Sequence, residues 1–138
     1  MPARDLFHQA VKNALVRDGW VITHDPLHIE FGSFDFFIDL GAESLIGANR
    51  DGVQIAVEVK SFAGASSLSD FHTAVGQFVN YRLVLGKTDP ERVLYLAVAE
   101  FAYVSLLGTE FGQLAIEAHQ LKLIVFDEEQ GVVTQWIE

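Results

Sequence analysis

With 138 residues, half of them hydrophobic and eleven of them Phe, the chain has enough apolar surface for one domain, spanning 1–138, with a substantial core. It holds no cysteine, which excludes disulfides and thiolate metal sites, and its net charge of −10 argues against a simple nucleic-acid binder. No run approaches the ~20 apolar residues of a membrane span, and MPARDLFHQAV lacks the build of a signal peptide, so a soluble, cytoplasmic protein is expected.

The charge is uneven. Residues 100–138 carry seven acids and one base, a net −6, whereas residues 1–99 carry twelve acids and eight bases, a net −4. The C-terminal part therefore reads as a face that avoids DNA or meets a basic partner.

In chain order, Asp5–Asp18 has the apolar spacing of a helix, closed by Gly19. His8 on it is expected to be structural. Asp5 is either the helix N-cap or an acid lent to a site. Trp20–His24 is a short strand, and Asp25-Pro26 marks a turn. Leu27–Phe31 and Ser33–Leu40 are the next strands, with Gly32 between them as a hairpin turn or bulge. In the second of these, Asp35 and Asp39 share a face; Asp35 reads as a near-surface strand start and Asp39 as a deeper acid. Ala42–Asn49 is expected to form a short helix, with Glu43 on its surface.

The stretch that asks for an explanation is IAVEVKSF, residues 55–62. Ile55, Val57 and Val59 alternate with Ala56, Glu58 and Lys60, the period of a strand. Glu58 and Lys60 share one face, opposite the branched aliphatics. One explanation is an ion pair on a solvated sheet edge. Against it, the strand is apolar around the pair, as a central strand is, and Asp39 stands less than twenty residues upstream.

A small, flexible loop (residues 61–67) leads into an amphipathic helix, Ser67–Leu85, on which Gln77 and Tyr81 are four apart and share a face. Arg92–Ala99 is an almost uninterrupted apolar strand, expected to be buried on both faces and parallel to a neighbour. Glu100–Gln120 is helical in two pieces broken near Gly108-Thr109. Leu121–Phe126 and Val132–Ile137 are the last strands. This order describes an α/β fold, a mixed sheet flanked by helices.

Asp39 followed by Glu58-Val59-Lys60 resembles the PD-(D/E)XK nucleases, and Gln77-x-x-x-Tyr81 resembles a helix motif of RecB-type and resolvase-like members. More specifically, FHQAVKNAL, DGWVITHDPL, DFFIDLGAE, IAVEVKSF and AVGQFVNYR, in this order over residues 4–82, resemble the XisH family, the fdxN-element excision controlling factor proteins of cyanobacteria. The resemblance implies a restriction-endonuclease-like fold and a role in site-specific excision of a DNA element. By the same resemblance Asp39 and Glu58 are the acids that bind Mg²⁺ (or Mn²⁺), with the Val59 carbonyl as third ligand. Lys60 acts on the attacked phosphate, and Gln77 and Tyr81 stand in the helix motif. The proline that usually precedes the first acid is Ile38 here.

Implied partners are DNA, a XisI-like companion protein and a second copy of the chain in a homodimer. The rival expectation is a catalytically silent, nuclease-like interaction subunit that works with a XisI-like partner or a recombinase.

Overall fold

A computed structural model describes residues 6–44, 52–62 and 66–138. Asp5 lies outside the described residues, as do positions 45–49 of the expected short helix.

The frame is a six-stranded mixed sheet. Its strands are β1 (Val21–His24), β4 (Leu40–Ser44), β5 (Val53–Lys60), β6 (Val93–Ala99), β7 (Leu123–Asp127) and β8 (Val132–Ile137), side by side in that order. The centre is parallel: β6 pairs in parallel with both β5 and β7, while β1–β4, β4–β5 and β7–β8 are antiparallel. Parallel strands need both faces covered, which is why residues 93–99 and 123–126 are almost continuously apolar. A separate hairpin, β2 (Leu27–Phe31) with β3 (Phe34–Ile38), turns through Gly32 at φ +61° and Ser33.

The period-two alternation of β5 divides the core. On one face Ile55, Val57 and Val59 pack with Val11 and Leu15 of α1 (His8–Arg17) and with Ile124 and Phe126. On the other face Ala56 joins Leu96, Val98, Leu123 and Val125 beneath α2 (Ser67–Thr88), which contributes Phe71, Ala74, Phe78 and Leu85. The hairpin closes the same face through Leu27, Ile29 and Ile38. Ser66 caps α2, its hydroxyl accepting from the Ser69 N–H at 3.2 Å.

Three expectations change. Residues 42–44 are not helical: the chain leaves the hairpin at Asp39 and continues as β4, because Leu40 and Ala42 are fully buried opposite Val57 and Ile55. The strand expected over Ser33–Leu40 is thus two strands in two sheets. Second, the solvated-edge account of Glu58 and Lys60 fails, since β5 lies inside the sheet between β4 and β6. Third, the first helical piece after β6 is mostly π-helical: α3 (Glu100–Ala102) runs into a π segment, Tyr103–Leu107. The break at Gly108-Thr109 is as expected, and Thr109 caps α4 (Glu110–His119) by accepting from Gly112 N–H at 3.0 Å.

Gly112 allows that junction to close. A Cβ there would sit 2.5 Å from the Leu106 carbonyl oxygen and 2.6 Å from Leu107 Cα, both backbone. Gly76, inside α2, has nothing within 4 Å of such a Cβ. Gly112→Ala should therefore destabilise the protein by roughly 1–3 kcal/mol. Gly76→Ala should stabilise it by about 0.5–1 kcal/mol through helix propensity. Denaturant melts of the two variants check the opposite signs.

Candidate active site

Four neighbouring backbone segments bring the candidate residues together. Asp39 occupies the bend where the chain passes from β3 to β4, and Leu40 pairs with Val57 of β5. That register sets Asp39 beside Glu58. Its backbone N–H, released from both ladders by the bend, donates to Glu58 Oε1 at 3.2 Å, and its Oδ2 accepts from the Val59 N–H at 2.8 Å. The two carboxyls are themselves hydrogen-bonding neighbours. Lys60 lies two residues on along the same face, with Nζ 3.6 Å from Glu58 Oε2.

Burial makes this arrangement costly. Glu58 is 5% exposed. Burial first, and then the negative charge of Asp39, push its carboxyl up to about 8; Lys60 and the Asp39 N–H oppose the rise without cancelling it. Two unscreened carboxylates ~5 Å apart repel by about 3 kcal/mol at an effective dielectric near 20. Burial and the neighbouring charge therefore favour a proton on the pair, and a cation would relieve the same repulsion.

α2 roofs the pair. The Tyr81 hydroxyl is pushed up to about 12 by burial and then by the charges of Glu58 and Asp39, so it stands within their field. Its ring packs edge-on against Phe36 of the hairpin, 6.4 Å between centroids. Gln77 lies one helical turn earlier on the same side of α2. Its Oε1 is buried and accepts no hydrogen bond among the described residues. A buried acceptor without a donor is uncommon enough to call for one.

The donor set fits a hard divalent cation. It offers two carboxylates that repel one another, and oxygen ligands suit Mg²⁺ or Mn²⁺. Asp39 and Glu58 are the residues that would hold the ion.

Other acids fall elsewhere. Glu43 is half-buried on β4 opposite Gln54, four residues from Asp39 and so about 13 Å along the strand. Asp35 is exposed and bonds His28 at 2.8 Å; with Glu30 these form an outer cluster on the hairpin. The first helix packs on the opposite sheet face from Glu58. His8 there is structural as expected, 3% exposed, with Nε2 2.8 Å from Asp25 Oδ1. Lys12 donates to the other oxygen of Asp25, also at 2.8 Å. Sequence reasoning missed that cluster, although the four-residue spacing of His8 and Lys12 places them on one helix face.

Because the Glu58 carboxyl is raised above its ordinary 4.5, the folded chain binds that proton more tightly than the unfolded chain does. The corresponding stability is complete below about 4.5 and is lost as pH rises through about 8. Metal-free protein should lose a few kcal/mol across that window, and Glu58→Gln, which cannot ionise, should show a much flatter profile. Thermal melts at several pH values, with chelator present, check this.

No curated protein matches the chain. Among solved structures it is similar to an XisH family protein from Nostoc punctiforme PCC 73102, at 47% identity and a TM-score of 0.87, over 97% of this chain and 100% of that one. It is equally similar to an fdxN element excision controlling factor protein from Anabaena variabilis, at 47% identity and a TM-score of 0.88, over 98% and 100% of the two chains. Residues 1–134 match the family described as XisH protein. With the matched residues spanning both the sheet and the Asp39–Glu58–Lys60 group, the chain belongs to the XisH family.

Proposed function

We propose that this chain controls excision of a DNA element and does so as a metal-dependent DNA endonuclease of PD-(D/E)XK type. The excision role follows the Anabaena variabilis relative, which is an fdxN element excision controlling factor protein. The observation that carries the nuclease reading is the Glu58 carboxyl, 5% exposed and set against Asp39 on a central strand. Stability alone disfavours such a pair.

In this mechanism Asp39 and Glu58 would hold the divalent ion, with the Val59 carbonyl as a third ligand; a bound ion would supply polarisation of the phosphodiester and a more acidic attacking water. Lys60, its amine partly exposed beside Glu58, steadies negative charge on the phosphate oxygens as the bond to the leaving oxygen breaks. Gln77 supplies an acceptor that positions the Lys60 amine or the water. Tyr81, held neutral by its neighbours, donates from its hydroxyl without adding charge.

Acid and lysine variants should differ in kind. Glu58→Gln should weaken Mg²⁺ or Mn²⁺ binding at least tenfold, the loss typical of even an indirect partner, to be measured by calorimetric titration. Lys60→Ala removes a positive charge near the ion, so affinity should hold or rise while plasmid cleavage is lost in both variants. Wild type that binds neither ion at millimolar concentration would remove the basis of the nuclease reading.

A second reading is favoured by the −10 charge and by exposed apolar residues on the α3–α4 side, Phe101, Val104, Phe111 and Leu114. In it the chain is a nuclease-like subunit that works through a XisI-like partner, a recombinase or a second copy of itself. Light scattering and affinity capture from native lysate should then yield a dimer or a stoichiometric complex. A strict monomer without a companion counts against it.

A further inference from the structure

We propose that a small organic anion, a carboxylate or phosphate on a short apolar body, binds in a cavity between α2 and the N-terminal ends of β6 and β7. This cavity lies toward the other end of the strands from Lys60, since Val93 at its wall pairs with Ile55 and Lys60 pairs with Val98. Its volume is about 200 Å³. Phe78, Leu85, Val93 and Leu94 supply apolar walls.

Three cations line it, Arg82, Arg92 and Lys122, and no acid does. In a chain of net charge −10 with nineteen acids, that is an unexpected grouping. Arg92 is neutralised from outside the cavity: its Nε donates to Asp89 at 2.8 Å and its Nη1 to the Ile55 carbonyl at 2.9 Å. The other two are not. Arg82 donates through Nη1 to the His119 and Gln120 carbonyls, at 2.9 and 3.0 Å, and sits over the Phe78 ring. Lys122 has no ion pair or side-chain hydrogen bond among the described residues. Glu117 and Glu138 line an adjoining cleft that shares Arg82 and Lys122, and neither acid comes within 4.0 Å of those cations.

Gln120, in the cavity wall, is left-handed at φ +51° because it caps the C-terminus of α4, its N–H donating to the Glu117 and Ile116 carbonyls. Gly86 of α2 lines the cavity, and a Cβ on it would meet nothing within 4 Å, so a larger side chain can be placed there without a backbone clash. Two cations without acids above an apolar floor select a ligand with one anionic head and an apolar body.

The full chain is titrated calorimetrically with phenyl phosphate, benzoate and inorganic phosphate, alongside Lys122→Gln and Gly86→Leu. Phenyl phosphate or benzoate, whichever head the cations prefer, should bind at least about tenfold more tightly than inorganic phosphate. Lys122→Gln should weaken that binding about tenfold or more, the worth of one charged hydrogen bond. Gly86→Leu should abolish it by filling the cavity, with melting temperature reported in parallel. The proposal is overturned if neither organic probe binds, if inorganic phosphate binds as well as both, or if Lys122→Gln leaves binding unchanged.

Discussion

The arrangement of this protein depends on a carboxyl group buried where carboxyls rarely lie. Glu58 is inside the sheet, almost without solvent, and its nearest charged neighbour on one side is another acid. Everything that makes this tolerable is local. The bend at Asp39 frees an N–H for Glu58 Oε1, β5 supplies the Val59 N–H to Asp39, and Lys60 stands 3.6 Å away. These donors reduce the cost without removing it, as the raised Glu58 carboxyl records.

The rest of the fold holds these groups in place. β4 brings Asp39 to β5 in antiparallel register, and β6 fixes β5 from the other side in parallel. A strand paired on both edges and packed on both faces has little freedom to relax, so the acids cannot separate. α2 closes the remaining direction with Phe71, Phe78, Gln77 and Tyr81. The same helix carries Arg82 to the basic cavity one residue beyond Tyr81. The two regions thus share a rigid element of 22 residues.

Most elements were legible because their patterns are strong. Residues 55–60 and 93–99 alternate or run apolar as central strands do, and both fall in the centre of the sheet. The parallel pairing of β6 was legible from its lack of polar alternation. The stretch after Asp39 was not: Gly-Ala-Glu-Ser has low strand propensity, and what holds it extended is burial of Leu40 and Ala42 between β1 and β5, a tertiary effect. The π segment was equally hidden, since it keeps a helical apolar spacing. Within the site, the closeness of Glu58 and Lys60 follows from strand period alone, whereas the contact between Asp39 and Glu58 depends on a register no local pattern encodes. The cations around Gly86 come from three separate elements and left no linear signal.

The geometry also separates a salt bridge from a charged site. An ion pair built for stability places the ammonium near 2.8 Å from its acid, as Lys12 does with Asp25. Lys60 stands 3.6 Å from Glu58 with its side chain 23% exposed, although a closer partner would lower the cost of the buried carboxyl. One lysine also cannot balance two acids. The deficit raises the Glu58 carboxyl, which holds a proton more tightly than an ordinary carboxylate does. A proton neutralises one carboxylate but cannot be shared among three or more oxygens, whereas a divalent cation can. Under the proposed function a divalent cation would have to displace that proton from the same oxygens, so its binding would strengthen on the alkaline side and weaken in acid, a direction the burial of Glu58 sets.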